Sequence, residues 1–470
     1  MATKSLGVAR TETKLTVAPV GPVVFRRLVG LVVGIIALLL STVLPEVQSA
    51  TSQACVLVLA WAGCAIVCWR GASGVGGAST AYVAVFGVFH TGLVLAFALG
   101  GDSALVGGGD NRWISSELVN PAIVAVCAAF TGLTLGTIVG ALLPRTRALS
   151  IEGPVKSPPR IDQAGGIAVV LGLILVGKAL LDGGGIGVLF SGYGQFLEAV
   201  SGDGMFGYGV VLLGMGTAFL VSSGGRARQC GWWVMLGIAV VGLPLGMRGT
   251  ILFPLTVLIV IEAKSRRLPL LPFLGLGYLA LASISVLRQT RVDGIGGLLS
   301  GGWTDFLPLH GLAEMGYSLY PTVVVQNWMA SGLEPMNGIT YFAPLVRFVE
   351  GIFLGGAPAA ESDYRLFNVE VANRVGQIGG SPVAEGLRNG GMVGMVILMT
   401  IIGLLIAYVD RLPNSPFYSA VTAIVLLPLL IGVRNSFAPT LSQWMIGGLL
   451  LLLAAGLRTA QTKERGIRGV

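Results

Sequence analysis

Charged residues are scarce in this sequence. Only 11% of its 470 residues are Asp, Glu, Lys or Arg, whereas 54% are hydrophobic. A soluble globular domain carries about 25% charged residues, because its surface faces water. The scarcity excludes that class. Several apolar runs reach the length of about 20 residues that crosses a bilayer core, and they predict a polytopic helical membrane protein.

Residues for metal, redox and nucleotide chemistry are also few. The five cysteines lie within apolar runs or at their edges, so we expect neither disulfide bonds nor thiol chemistry. No glycine-rich nucleotide-binding loop follows a predicted strand, and no carboxylates recur at metal-ligand spacing. We therefore expect no metal and no other cofactor. The net charge of +8 derives mainly from loops predicted to face anionic lipid, and we expect no nucleic-acid partner.

Twelve apolar segments predict an all-α chain that forms a single membrane domain over residues 1–470. A basic tail at 1–27 precedes them, and a long mixed stretch at 288–390 separates the ninth segment from the tenth. Glycine is spread through the segments, as expected where helices pack closely in lipid. The predicted spans cover about 28–44, 53–69, 80–100, 119–143, 165–182, 205–222, 231–247, 250–263, 268–287, 391–409, 417–433 and 443–457.

The distribution of basic residues predicts the orientation of these spans. With the N-terminus inside, the inner segments hold 20 Lys and Arg residues and the outer segments hold 9. Because basic residues favour the cytoplasmic side, we expect both termini in the cytoplasm and 288–390 as a large outer loop.

Lysine is missing from the predicted outer side, where all nine basic residues are arginine. The planar arginine fork suits phosphate or carboxylate, so the bias predicts anion binding. Arg248 lies in a hairpin near the outer headgroups, where an ionised group is costly unless it is paired. Arg434 has an equivalent place between the last two spans, and Arg288 and Arg291 share a face if the ninth span continues outward. Snorkelling to lipid phosphates or surface pairing is the alternative.

Two outer residues stand apart from the other acidic residues and histidines, Glu385 because it would face the membrane mouth and His310 as a candidate general base. Glu385 falls in the first turn of a helix predicted to begin at Ser381 and Pro382. The alternative is a carboxylate that only complements the helix dipole. His310 can accept a proton near neutral pH and shares a face with Glu314 if the segment is helical. A structural or exposed histidine is the alternative.

Two parts of the outer loop, 315–329 and 341–354, are too apolar to lie free in water. We expect them at the membrane interface or inside the protein. Their aromatic residues, which include Tyr317 and Tyr341, are predicted to lie at the interface or to stack on sugar rings.

The order of motifs over roughly 235–410 resembles the bacterial O-antigen polymerases, also called oligosaccharide repeat-unit polymerases. GMRGTIL stands at an outer hairpin, HGLAEMGYSLYPTVVV and NGITYFAPLVRFV follow in the long loop, and SPVAEGLRNGGMVGMV leads into the tenth span. The related O-antigen ligases often place a histidine where this chain has Glu385, which favours a polymerase. The chain departs from the family at Arg388, which interrupts a stretch that is commonly apolar and aromatic.

The resemblance implies a membrane glycosyltransferase of the C-type fold on the outer face of the bacterial cytoplasmic membrane. The donor would be a polymer on undecaprenyl pyrophosphate and the acceptor a lipid-linked repeat unit, both surrounded by membrane lipids. Whether a chain-length regulator also binds is left open. Glu385 or His310 would deprotonate the acceptor hydroxyl. The substrate-binding residues would be Arg248, Arg288, Arg291, Arg388, Arg434, Glu314, Tyr317 and Tyr341.

Two other functions stay open. A ligase of the O-antigen type would transfer the polymer to a different acceptor. A flippase or transporter for lipid-linked oligosaccharides would also use intramembrane arginines, but internal repeats or paired broken spans are expected there. The sequence has no convincing repeat, and the large outer loop argues against a transporter.

Overall fold

The fold is described by a computed structural model that covers most of the chain. Within the described residues the secondary structure is helical and no strand occurs, which confirms the all-α class. The described ranges are 21–43, 49–69, 76–100, 113–114, 117, 119–143, 160–185, 187–188, 193–200, 204–243, 245–266, 268–286, 308–354, 356 and 358–468.

Seventeen α-helices lie in these ranges. Ten precede the long loop: α1 (Gly21–Val43), α2 (Ala50–Cys68), α3 (Ala78–Ala98), α4 (Val119–Leu142), α5 (Ile161–Asp182), α6 (Tyr193–Val200), α7 (Met205–Ser223), α8 (Gly225–Gly242), α9 (Arg248–Ser265) and α10 (Leu270–Val286). The loop helices are α11 (Pro308–Met315), α12 (Tyr320–Ala330), α13 (Ile339–Phe353) and α14 (Phe367–Val375), with short 3-10 turns at Gly316–Leu319 and Ala360–Ser362. The last three are α15 (Pro382–Val409), α16 (Pro416–Gly432) and α17 (Ala438–Arg468).

Each of the twelve predicted spans coincides with one helix. Eight described helices, α1 to α5, α7, α15 and α17, are long and apolar enough to cross a membrane by length and composition. Helix α16 is apolar but has only 17 residues. The multi-pass architecture is thereby confirmed, and the count of twelve stays a prediction for α8, α9, α10 and α16.

Glycines allow the spanning helices to approach closely. Between α5 and α7, a Cβ added at Gly172 would lie 2.8 Å from the carbonyl oxygen of Gly209. Between α4 and α15, a Cβ at Gly136 would overlap the carbonyl oxygen of Thr400. Such contacts raise the dispersion attraction between helices, which drives their association where lipid removes the hydrophobic effect.

Helix α15 has two parts that meet at a break. Gly391 has φ 59° and ψ −157°, a backbone conformation that only glycine adopts readily, and Gly390 before it is also non-helical. The first part begins at the predicted cap, where the Ser381 hydroxyl accepts a hydrogen bond from the backbone N–H of Ala384 at 3.0 Å. Residues 381–389 are all buried. The break therefore separates a short buried helix from the span that follows.

The packing of α4 on α15 predicts that Gly136→Ala destabilises the protein. The added methyl group would overlap the backbone of α15, at a cost of about 1–3 kcal/mol. Gly177→Ala in α5 is the matched control, because a Cβ there meets no atom within 4 Å. We expect a lower thermal unfolding temperature in detergent for Gly136→Ala alone. Equal unfolding temperatures for both variants would contradict the close packing.

Candidate functional site

Glu385 is buried with a hydrogen bond on each carboxylate oxygen. Its Oε1 accepts a bond from the hydroxyl of Thr340 at 2.6 Å, and its Oε2 accepts one from the backbone N–H of Phe437 at 2.6 Å. The residue is only 1% exposed. Thr340 is the second residue of α13, and Phe437 lies in the turn between α16 and α17. One side chain thus joins three segments that are distant in sequence.

Asn389, one turn further along α15, completes this network. Its Nδ2 donates to Thr340 Oγ1 at 2.6 Å and to the carbonyl oxygen of Glu385 at 2.8 Å. A cavity of about 20 Å³ adjoins Glu385 and Phe437, which is enough for one water molecule. These residues, Thr340, Glu385, Asn389 and Phe437, are the Glu385 network.

Tyr341 lies beside the network. Its ring centroid is 5.5 Å from that of Phe437, with the two rings nearly perpendicular. Burial, and after it the negative charge of Glu385, raises the pKa of Tyr341 well above its ordinary value. The phenol therefore stays protonated at any physiological pH and can act only as a neutral hydrogen-bonding or stacking group.

Arg388 is engaged inside the protein. Its Nε and Nη2 donate to the two carboxylate oxygens of Glu370 at 3.0 and 2.9 Å, and its Nη1 donates to the carbonyl oxygen of Glu334. Both members of the ion pair are buried, and the backbone N–H of Met336 donates to the carbonyl of Arg388 at 2.8 Å. Every guanidinium nitrogen thus has an internal acceptor. This geometry makes Arg388 a brace between α14, the 334–336 segment and α15.

A second group of ion pairs fixes α13 to the segment that follows it. Arg365 donates to Glu350 through Nη1 at 2.7 Å and through Nη2 at 2.8 Å, and its Nη2 also lies 2.8 Å from Asp363. Arg347 donates to Asp363 at 2.6 Å. The hydrogen bonds from Arg365 lower the pKa of Asp363 to about 2. The pairs therefore remain ionised at neutral pH and hold the helix that carries Thr340.

Arg248, the first residue of α9, forms an ion pair with Glu314 of α11. Its side chain is only 4% exposed. Among the described residues, Nε and Nη2 of Arg248 are buried and have no hydrogen-bond partner. A buried guanidinium that keeps unused donors is suited to bind a further anion.

His310 and Tyr317 lie on either side of Glu314 in the sequence. His310 is one turn before Glu314, and both belong to α11, as the spacing predicts. Its Nδ1 is buried without a hydrogen-bond partner among the described residues. Tyr317 packs against Trp113 and Tyr320 at ring-centroid distances of 5.9 and 5.4 Å, and burial raises its pKa. The Arg248–Glu314 ion pair, with His310 and Tyr317 as the chain neighbours of Glu314, is called the Arg248 cluster.

The chain connects the Arg248 cluster to the Glu385 network through α12. This helix starts directly after the 3-10 turn that contains Tyr317. Its Thr322 hydroxyl lies 3.5 Å from the hydroxyl of Ser381, the cap of α15. A displacement of α11 or α12 would therefore change the contact at the start of α15, the helix that carries Glu385.

Three further arginines were predicted to bind the substrate. Arg434 lies half-buried in the turn between α16 and α17, where its carbonyl accepts a bond from the backbone N–H of Gly380 at 3.3 Å. This contact places its backbone beside the start of α15. Arg288 and Arg291 lie outside the described residues.

Thr340, Asn389 and Glu370 belong to the site but were not among the predicted site residues. Asn389 follows Glu385 by four residues, a spacing that places both on one helical face. This spacing could have identified Asn389 as a neighbour of Glu385 from the sequence. Thr340 and Glu370 lie 45 and 15 residues before Glu385, and no spacing rule predicts such contacts.

The fold and the site define a multi-pass helical membrane protein whose buried polar site forms where loop helices meet the ends of membrane helices. The chain belongs to the O-antigen polysaccharide polymerase Wzy family, whose model matches residues 24–463. Members are multi-pass inner-membrane polymerases that act on lipid-linked oligosaccharide repeat units. The resemblance seen in the sequence is therefore confirmed, together with polysaccharide synthesis as the kind of activity.

One curated relative is Protein CapE of Staphylococcus aureus. It is 24% identical over 360 residues, which cover 75% of this chain and 77% of the relative. No solved structure matches the chain.

The geometry predicts that replacing only one member of the Arg388–Glu370 ion pair destabilises the protein. Glu370→Gln leaves the buried Arg388 guanidinium without a carboxylate, at a cost of about 3–5 kcal/mol. Arg388→Gln leaves Glu370 only its ion pair with the exposed Arg374 at 3.3 Å, so we expect a smaller loss of the same sign. The double variant Arg388→Met with Glu370→Leu removes both charges, and we expect it to unfold at a higher temperature than either single variant. Additive losses in the double variant would contradict a role as a brace.

Proposed function

We propose that the protein polymerises oligosaccharide repeat units linked to undecaprenyl pyrophosphate on the outer face of the cytoplasmic membrane, with both termini in the cytoplasm. Family membership supports the polymerisation, and the basic-residue count supports the outer face. The observation that carries the proposal is the buried Arg248, which keeps unused guanidinium donors beside Glu314.

Arg248 would bind the pyrophosphate of the donor. Its ion pair with Glu314 holds the guanidinium in place, and Nε and Nη2 can donate to phosphate oxygens. As the bond between the anomeric carbon and the pyrophosphate breaks, negative charge grows on the leaving group. A positive group already positioned there stabilises the transition state more than the ground state. Arg434, Arg288 and Arg291 would add to this charge.

The reaction requires a base for the acceptor. An acceptor hydroxyl attacks the anomeric carbon, the bond to the pyrophosphate breaks, and the hydroxyl proton passes to the base. His310 offers an unpartnered Nδ1 on the helix that carries Glu314. Glu385 could serve once the acceptor displaces Thr340 from Oε1 or enters beside the water-sized cavity. The two candidates therefore differ in the rearrangement that they require.

Tyr317 and Tyr341 would contact the sugars or the sides of the site. Each belongs to a small aromatic group, Tyr317 with Trp113 and Tyr320, and Tyr341 with Phe437. Flat apolar ring faces suit the apolar faces of sugar rings. Arg388 would act indirectly, by holding the helix that contains Glu385.

The role of Arg248 predicts that the double variant Arg248→Gln with Glu314→Gln makes no long polymer. Replacing both residues avoids an unpaired buried charge, so the protein should still reach the membrane. We expect a loss of about 100-fold or more in the polymerisation rate, the cost of removing one transition-state donor. Polymer length on gels, normalised to membrane protein, gives the result. The control is Arg266→Gln, which changes an exposed arginine outside the site. A normal ladder of polymer lengths from the double variant would contradict the role assigned to Arg248.

The base is distinguished by comparing Glu385→Gln with His310→Gln. The variant that lacks the base should polymerise about 100- to 10,000-fold more slowly. Its rate should also no longer increase with pH over the acidic range in which the base loses its proton. The other should retain that pH dependence. Glu361→Gln, at an exposed loop position, serves as the matched control. Wild-type rates in both site variants would show that neither residue is the base.

A further inference from the structure

We propose that the end of the helix bundle remote from Glu385 contains a binding site for the phosphate group of an anionic membrane lipid. A cavity of about 410 Å³ lies there. The polar and charged side chains that line it include Arg26, Arg27, Ser79, Thr137, Asp410 and Arg411. This proposal does not depend on the proposed polymerase mechanism.

Five helix ends surround this basic cavity. Helices α1 and α3 begin beside it, and α2, α4 and α15 end beside it. The continuous part of α15, from Gly391 to Asp410, spans about 28 Å at 1.5 Å per residue. The cavity adjoins its C-terminal end, and the break that leads to the short Glu385 helix lies at its N-terminal end. The basic-residue count predicts that the end with the cavity faces the cytoplasm.

Among the described residues that line the cavity, Asp410 is the one carboxylate, and the start of α3 donates hydrogen bonds to it. Its Oδ1 accepts from the backbone N–H of Ala78 at 2.5 Å, and its Oδ2 accepts from that of Ser79 at 3.1 Å. These bonds make it a cap for the helix, whose positive dipole end stabilises its charge. The described lining residues thus contribute three guanidinium groups and one carboxylate, which gives them a net positive charge.

The arginines are positioned to receive an anion. Arg411 donates through Nη1 to the carbonyl oxygen of Gly140 at 2.6 Å, which fixes its guanidinium at the cavity wall. The Nε of Arg26 is buried and has no hydrogen-bond partner among the described residues. A phosphate group would supply acceptor oxygens to several such donors at once. The hydroxyls of Ser79 and Thr137, on the same wall, could contribute further bonds.

The position of the cavity favours a lipid as the source of the phosphate. Val23 lines it and is 43% exposed, and further exposed apolar residues follow along α1, as expected of a surface against lipid. The cavity lies where these apolar helices end, which is the depth of the headgroups. Basic pockets between membrane helices on the cytoplasmic side recognise anionic headgroups. A bound lipid would bridge α1 and the end of α15.

The test uses the full-length protein with Arg26→Gln and Arg27→Gln combined. The matched control combines Arg226→Gln with Arg266→Gln, which removes the same charge from exposed positions outside the cavity. Retained lipid is measured by native mass spectrometry during titration with phosphatidylglycerol or phosphatidylcholine. At about 1 kcal/mol for each arginine near the surface, we expect binding of phosphatidylglycerol to weaken about 10- to 30-fold in the cavity variant and to stay near wild type in the control.

Each of the following three results would overturn the proposal. Equal loss of phosphatidylglycerol from both double variants would show that only the bulk charge attracts the lipid. Stabilisation of the purified protein by inorganic phosphate, without any further effect of phosphatidylglycerol, would assign the cavity to a free anion. If the glutamine variant fails to fold, Arg26→Lys with Arg27→Lys replaces it. That variant keeps the charge and loses the bidentate fork, so we expect intermediate binding, and unchanged binding would also overturn the proposal.

Discussion

A carboxylate removed from water needs hydrogen bonds from the protein, and the site depends on how this need is met at Glu385. Its donors are the Thr340 hydroxyl and the Phe437 backbone, which come from a loop helix and from the turn between the last two helices. The hydrogen bonds to this one side chain thus hold three separate segments together. The Gly390–Gly391 break lets the short helix that carries Glu385 take a direction different from that of the span.

The loop helices form a braced structure around this carboxylate. The buried pair of Arg388 and Glu370 holds α14 against α15, and the pairs around Asp363 hold α13. These ion pairs are satisfied within the protein, so they are suited to holding the site in shape. Arg248 differs from them because it keeps donors that no described residue uses. This difference separates the arginine most suited to bind a substrate from those that brace the loop.

The sequence predicted the elements better than it predicted their contacts. Apolar runs located the helices, and Ser381 with Pro382 located the start of α15, because both signals are local in the chain. The contact of Glu385 with Thr340 depends on how a loop folds back over 45 residues, which no local pattern specifies. Arg388 was predicted as a substrate ligand from its type and position. Its internal partner Glu370 was not foreseen, since the pairing of charges is decided by tertiary structure.

The most direct test of the central claim is a reaction of the purified protein with a synthetic repeat unit linked to a lipid pyrophosphate, resolved by product length. If this chain is a polymerase, the product is a ladder of lengths that forms without any nucleotide sugar or separate acceptor. Transfer only to a different lipid or glycan would instead indicate a ligase. Transbilayer movement of an unaltered lipid would indicate a flippase, and either of these results would contradict polymerisation by this chain.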